Sequence, residues 1–195
     1  MAQKLKTEYS KCWAGFCYWL LTKVMGWTID TGCAPEKKVI LLGVPHTSAL
    51  DFIVSYLYYT STRKVAHVMI KKEFFFWPVG PILRACGCIP VDRSSSTAMV
   101  RSVITAMGEN EFFHLAIAPE GTRKPIKRWK QGYHLIAKAT GATVRMAYFD
   151  WGTKHVGHGE IFELTDDAKA DTARIQEIYE TMHLKGRHPE KYITH

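Results

Sequence analysis

The chain has 195 residues, the length of one ordinary domain, and its 47% hydrophobic content excludes a disordered polymer. It carries 26 Lys and Arg against 18 Asp and Glu, a formal net charge of +8. That balance favours anionic partners such as phosphate groups or anionic lipid, and says nothing about the fold. The five cysteines, Cys12, Cys17, Cys33, Cys86 and Cys88, are odd in number and lack both C-x-x-C and zinc-type spacing. Cys86 and Cys88 are too close in sequence for ordinary disulfide geometry, so the set fits a reducing compartment, with thiols acting as small buried hydrophobes.

The uncharged run 12–22 follows Lys4, Lys6 and Lys11 but is well short of the roughly 20 apolar residues of a spanning helix. Trp13, Phe16, Tyr18, Trp19, Leu20 and Trp27 among lysines predict instead an amphipathic, membrane-interface helix within residues 1–30. The competing reading is a helix packed on the domain core, because the rings wrap widely around it. Short apolar runs then alternate with helical patterns. Residues 38–44 predict a buried strand ending in a Gly/Pro turn, and 48–60 a helix. Residues 65–70 predict a strand, 74–85 a short helix broken by Pro78 and Pro81, and 88–91 an extended segment. A helix over 97–107, a strand over 114–118 and a helix over 131–140 closed by Gly141 follow. Strands over 143–149 and 159–164 and a helix over 168–184 complete the chain. No repeat or linker divides residues 31–195, which predict a single-domain α/β sandwich: a mixed, largely parallel sheet flanked by helices.

In open α/β sheets ligands sit beyond the carboxyl ends of strands, which directs attention to the polar clusters after Val44, Val91 and Ala118. In Pro45-His46-Thr47-Ser48-Ala49-Leu50-Asp51, five residues turn a helix by about 140°, so His46 and Asp51 cannot share a helix face. His46 belongs to the turn, with Asp51 in the first helical turn bending back to one ring nitrogen, an arrangement that fixes the tautomer of a general base. Ordinary capping by Ser48-x-x-Asp51 is the alternative for the same residues. Arg93 ends an extended segment beside Asp92 and offers a fork of donors to a phosphate. Glu120-Gly121-Thr122-Arg123 reads as an anion cradle, or as a plain turn: glycine for close approach, a hydroxyl, a guanidinium, and a carboxylate that holds Arg123 or takes a ligand hydroxyl. His155-x-x-His158 lacks a third ligand, and no metal site is predicted. A serine hydrolase lacks support because no G-x-S-x-G elbow exists, and the scattered basic residues argue against a nucleic-acid module.

Taken in order, His46-x4-Asp51, Gly87-x5-Arg93 and Pro119-Glu120-Gly121-Thr122-Arg123 resemble the lysophosphatidic acid acyltransferase (1-acylglycerol-3-phosphate acyltransferase) family. Lys71-Lys72-Glu73 before Gly80, and Trp129-Lys130-Gln131-Gly132 after the turn, extend the similarity across roughly residues 38–150. The resemblance implies a glycerol-3-phosphate acyltransferase-like fold and an enzyme, with His46 as general base and Asp51 as its partner. Arg93, Glu120, Gly121, Thr122 and Arg123 would hold the acceptor's phosphate and glycerol, with Lys71 a further candidate. The donor would be acyl-CoA or acyl carrier protein, as substrate, with no metal or other cofactor. The acceptor would be a lysophospholipid, first 1-acylglycerol-3-phosphate giving phosphatidate. Another lysophospholipid, a lyso-aminolipid, or a non-catalytic lipid-binding module are the alternatives. The expected place is an anionic membrane surface, peripheral or monotopic on the cytoplasmic face. Two departures stand out: Pro45 replaces the family's usual Asn, and residues 141–147 lack the prolines of its fourth motif and contain Arg145.

Overall fold

The computed structural model describes residues 5–92 and 95–192. Among them, a six-stranded sheet has the order β4-β3-β5-β2-β6-β9. Its strands are β2 (Lys38–Leu42), β3 (Ala66–Lys71), β4 (Cys88–Val91), β5 (Phe113–Ile117), β6 (Thr143–Arg145) and β9 (Ile161–Phe162). All neighbours run parallel except β9, which pairs antiparallel with β6. A second sheet, β1 (Thr28–Ile29), β8 (His155–Gly157) and β7 (Tyr148–Asp150), flanks the first. An isolated bridge between Val44 and Tyr148 joins the two.

The central strand β2 explains the layering. Successive side chains point to opposite faces, and an apolar, buried residue at every position from Val39 to Leu42 suits a strand covered on both. Ile40 and Leu42 enter a core with Leu115, Val103, Met107, Tyr133, Ile136, Ile175 and Tyr179, built around α4 (Ser96–Glu109), α5 (Gly132–Thr140) and α6 (Ala168–Thr181). Val39 and Leu41 enter the opposite core with Val54, Leu57 and Tyr58 of α2 (Leu50–Ser61) and with Cys17 of α1 (Lys11–Trp19). α1 is capped by the Ser10 hydroxyl, which accepts from the Trp13 N–H, and continues into a π-helical turn, Leu20–Val24, that buries Leu21. It therefore packs on α2 through Ala14 and Cys17, while Trp13, Phe16, Tyr18 and Trp19 stay exposed. Among the described residues, no helix is long and apolar enough to cross a membrane.

Several boundaries differ from the sequence reading for local reasons. The strand expected over 143–149 divides at Met146 and Ala147, so β6 and β7 join different sheets. The helix expected over 74–85 shrinks to α3 (Val79–Ala85). Pro78 caps it and Pro81 occupies its first turn, where a missing N–H is harmless. Arg145, the unexpected cation of β6, makes a fork with Glu36: Nε lies 3.1 Å from both carboxylate oxygens and Nη2 2.7 Å from Oε1. Its Nη1 donates to the Gly159 carbonyl at 2.9 Å, so this arginine ties the start of β2 to the turn before β9. His155 and His158 turn to different partners, Asp30 at 3.2 Å and the Tyr58 hydroxyl at 2.9 Å. All five cysteines are free.

Candidate active site

Because the main sheet is largely parallel, its carboxyl ends gather on one side of the molecule. His46 follows β2, and Glu120 follows the adjacent β5. The segment 45–49 turns directly into α2, which places Asp51 in the first helical turn, where helix N-terminal charge favours a carboxylate. Asp51 is 1% exposed, and a carboxylate so buried must fill its lone pairs. Its Oδ2 accepts from the backbone N–H of Thr47 at 2.8 Å and of Ser48 at 2.7 Å, and lies 3.2 Å from His46 Nδ1. Its Oδ1 accepts from Trp151 Nε1 at 2.8 Å. One carboxylate thus closes the turn and also meets the imidazole, while the helix N-cap falls at Ala49 without a side-chain cap bond. Nδ1 of His46 is committed to Asp51, which leaves Nε2 for an outside proton; the His46 side chain is 27% exposed.

Glu120 approaches from the other side. Its Oε2 accepts the His46 backbone N–H at 2.8 Å, so the β5 turn fixes the main chain of the residue whose side chain Asp51 fixes. Glu120 is 5% exposed, and burial pushes its carboxyl up to about 8, with the negative charge of Asp51 adding to the shift and the His46 N–H opposing it. The Tyr192 phenol is raised by burial and then by the nearby charge of Glu120. No ion pair joins Glu120 to Arg123 among the described residues. Gly121 adopts a positive φ of 67°, closing a turn in which its N–H donates to the Ala118 carbonyl at 3.0 Å. A side chain there would meet Lys130 Cγ at 3.0 Å. Thr122 Oγ1 accepts the Lys124 N–H at 3.1 Å, and the Arg123 side chain projects into solvent from this turn.

Lys71 ends β3, the strand on the other side of β5, and is exposed with its Nζ 4.0 Å from Glu73. Arg93 lies outside the described residues; Asp92 beside it pairs with Lys72 at 2.5 Å. The structure therefore brings His46, Asp51 and Glu120 into direct contact, while Lys71, Thr122 and Arg123 stand on neighbouring strand ends with no direct bond between them. Two concavities lie at the opposite end of the sheet, one around Glu36, Lys38 and Thr143, the other around Lys64, His67 and His114. His46 lines neither, and its site opens on the surface.

Residues distant in sequence complete the site. Trp151 packs edge-on against Trp27, with centroids 5.0 Å apart, and carries the Arg187 guanidinium 4.8 Å from its ring. The Trp151 N–H donates to the Lys185 carbonyl at 2.8 Å, and Asp150 Oδ1 accepts the Lys185 N–H at 2.8 Å. The His188 N–H donates to Thr47 Oγ1 at 3.2 Å. The segment after α6 is thereby laced to the His46 turn. Asp150-Trp151-Gly152-Thr153, a further polar cluster behind a predicted strand, was the signal in the sequence for this third contributor.

An imidazole held by a buried carboxylate at strand ends of a parallel sheet, with a basic turn alongside, is an arrangement chemically able to take up and return a proton. A family model described as Acyltransferase matches residues 30–153, and the chain belongs to the acyltransferase family. Among solved structures, the 1-acyl-sn-glycerophosphate (LPA) acyltransferase PlsC from Thermotoga maritima matches with a TM-score of 0.61. The match has 16% identity and covers 91% of this chain and 80% of that one, which shows a shared fold. No curated protein matches the sequence.

Proposed function

We propose that this acyltransferase moves a fatty acyl group from acyl-CoA or acyl carrier protein to the free hydroxyl of a lysophospholipid. The first acceptor we assign is 1-acylglycerol-3-phosphate, giving phosphatidate. The carrying observation is the 3.2 Å contact between His46 Nδ1 and buried Asp51, which leaves Nε2 as the proton acceptor. A thioester is already activated, so the acceptor hydroxyl attacks its carbonyl carbon as Nε2 takes the hydroxyl proton. The tetrahedral intermediate then expels the thiolate, which recovers the proton from His46. The carbon–sulfur bond is exchanged for a carbon–oxygen bond with no metal, redox step or enzyme nucleophile required. General-base assistance of this kind contributes roughly 10²–10⁴ in rate. Asp51 stabilises the imidazolium formed midway.

The choice of acceptor draws on the basic turn Gly121-Thr122-Arg123, with Arg93 and Lys71 as the other cations we assign to its phosphate, and on the substrate named for the Thermotoga maritima protein. Glu120 acts in this reading from beneath, by holding the His46 main chain. A membrane-borne acceptor also suits the exposed rings of α1, which we assign to an anionic bilayer interface. The test is labelled acyl transfer from palmitoyl-CoA, and from palmitoyl-acyl carrier protein, to a panel of lysolipids including a lyso-aminolipid. Preference for lysophosphatidate supports the assignment. Preference for an acceptor without a phosphomonoester overturns it.

A further inference from the structure

Between β3 and α3 the chain reads Lys71-Lys72-Glu73-Phe74-Phe75-Phe76-Trp77-Pro78. Phe75 turns inward, its ring stacked 5.1 Å from the Arg84 guanidinium. Its neighbours do the reverse: Phe74 and Phe76 are exposed, Trp77 is 85% exposed, and Ile82 on α3 is exposed beside them. A single exposed apolar side chain needs no explanation, but consecutive large ones do. The turn is held in this shape by its backbone. The Gly80 N–H donates to the Phe76 carbonyl at 2.7 Å, and the Phe75 N–H to the Lys72 carbonyl at 3.0 Å. A Cβ at Gly80 would lie 2.5 Å from the Phe75 carbonyl oxygen, so only glycine fits beneath it. The rings are therefore presented outward by a fixed turn, and no step of the acyl transfer uses them.

The occupant of such a surface follows from its position and composition. The turn lies at the carboxyl end of β3, the end of the sheet that also carries His46 and Glu120. α3 is joined to the α1–α2 layer, since the Tyr9 hydroxyl donates to the Ala85 carbonyl at 3.2 Å and the Tyr9 and Tyr56 rings meet edge-on at 6.0 Å. That layer exposes Phe16, Trp19 and Val24, and at the start of α2 Leu50 and Ile53, four and seven residues beyond His46. Lys71, Lys72 and Arg84 stand against Glu73 and Asp92 around the rings, a cationic balance in a chain of net charge +8. Consecutive exposed aromatic rings with lysines and an arginine next to them suit the headgroup boundary of an anionic bilayer, where rings are half-immersed and cations reach lipid phosphates.

We propose that Phe74, Phe76 and Trp77, with Ile82, form a second membrane-insertion element that enters the interface of an anionic bilayer and, with α1, turns the His46 end of the sheet toward the leaflet. The proposal rests on the reading that the acceptor is a membrane lipid, and it names the surface on which that lipid is met.

The experiment uses the full chain with phosphatidylcholine vesicles, with and without phosphatidylglycerol. The double variant Phe76→Ser, Trp77→Ser is expected to partition onto anionic vesicles about ten-fold more weakly, in keeping with the loss of two half-immersed rings. Quenching by brominated lipid is expected to be weaker in Trp77→Phe than in the parent. Transfer to a vesicle-embedded acceptor should fall with partition, while transfer to the same acceptor in detergent stays unchanged, which also shows that the variant is folded. Unchanged partition overturns the proposal, as does a loss of self-association in place of a loss of vesicle binding, which would make the turn a contact between copies. If no lysolipid is acylated under any condition, the reaction assigned above fails, and partition with quenching still decides the insertion.

Discussion

Replacing Glu120 by Gln separates the electrostatics of the site from its shape. The carboxyl ionises near 4.5 when free of the fold, and is pushed up to about 8 in it, chiefly by burial and secondly by Asp51. Between those values the folded protein keeps a proton that the unfolded chain has lost. Stability associated with Glu120 is thus complete below about pH 4.5 and is lost as pH rises toward 8, at roughly 1.4 kcal/mol per pH unit. Gln cannot ionise, and its carbonyl still accepts the His46 N–H that Oε2 accepts at 2.8 Å. The variant should match the parent near pH 5 and exceed it by about 3 kcal/mol near pH 7.5, the gain levelling off once Glu120 is ionised in both states. Urea unfolding followed from about pH 5 to about pH 9 reads the difference directly, because the titration of groups that do not face Glu120 cancels between the two proteins. A stability difference that stays constant across that range would refute the reasoning.

Other variants test other parts. Trp151→Phe keeps the packing on Trp27 but removes the donor to Asp51 Oδ1, a bond to a charged group of about 1.5–3 kcal/mol. We expect kcat to fall roughly ten-fold with KM little changed, since part of that energy orients His46; a lower Tm with unaltered kcat would assign Trp151 to stability alone. Arg123→Ala should raise KM for a phosphate-bearing lysolipid about ten-fold or more and spare kcat, measured against an acceptor lacking the phosphate. Arg145→Ala breaks the fork on half-buried Glu36 and should cost about 2–3 kcal/mol in urea unfolding while leaving KM for donor and acceptor unchanged.

The legible parts of the fold were those with strong local patterns. The uninterrupted apolar run of β2 announced a strand covered on both faces, and the failure of His46 and Asp51 to share a helix face announced a turn that bends back. Gly141 closes α5 with a φ of 66°, as a glycine after a helical pattern predicts. What stayed hidden depends on contacts across long stretches of chain. β1 and β8 have only two and three residues, too short for any alternation to register. Trp151 reaches Asp51 across 100 residues, and His188 reaches Thr47 across 141, so local sequence names neither partner, although the polar cluster 150–153 behind a strand marks where the first contact starts. Glu120 shows the same limit at one residue: its motif was visible, but its attachment to the His46 backbone comes from β5 lying beside β2 in the sheet.

The most direct test of the proposed mechanism follows labelled acyl transfer from palmitoyl-CoA to lysophosphatidate by the parent protein and by His46→Ala. With Nε2 of His46 as the general base, the parent forms labelled phosphatidate and the variant loses about 10²–10⁴ in kcat while keeping its folded far-UV spectrum and vesicle binding. Transfer by the variant at the parental rate would contradict the assignment of His46.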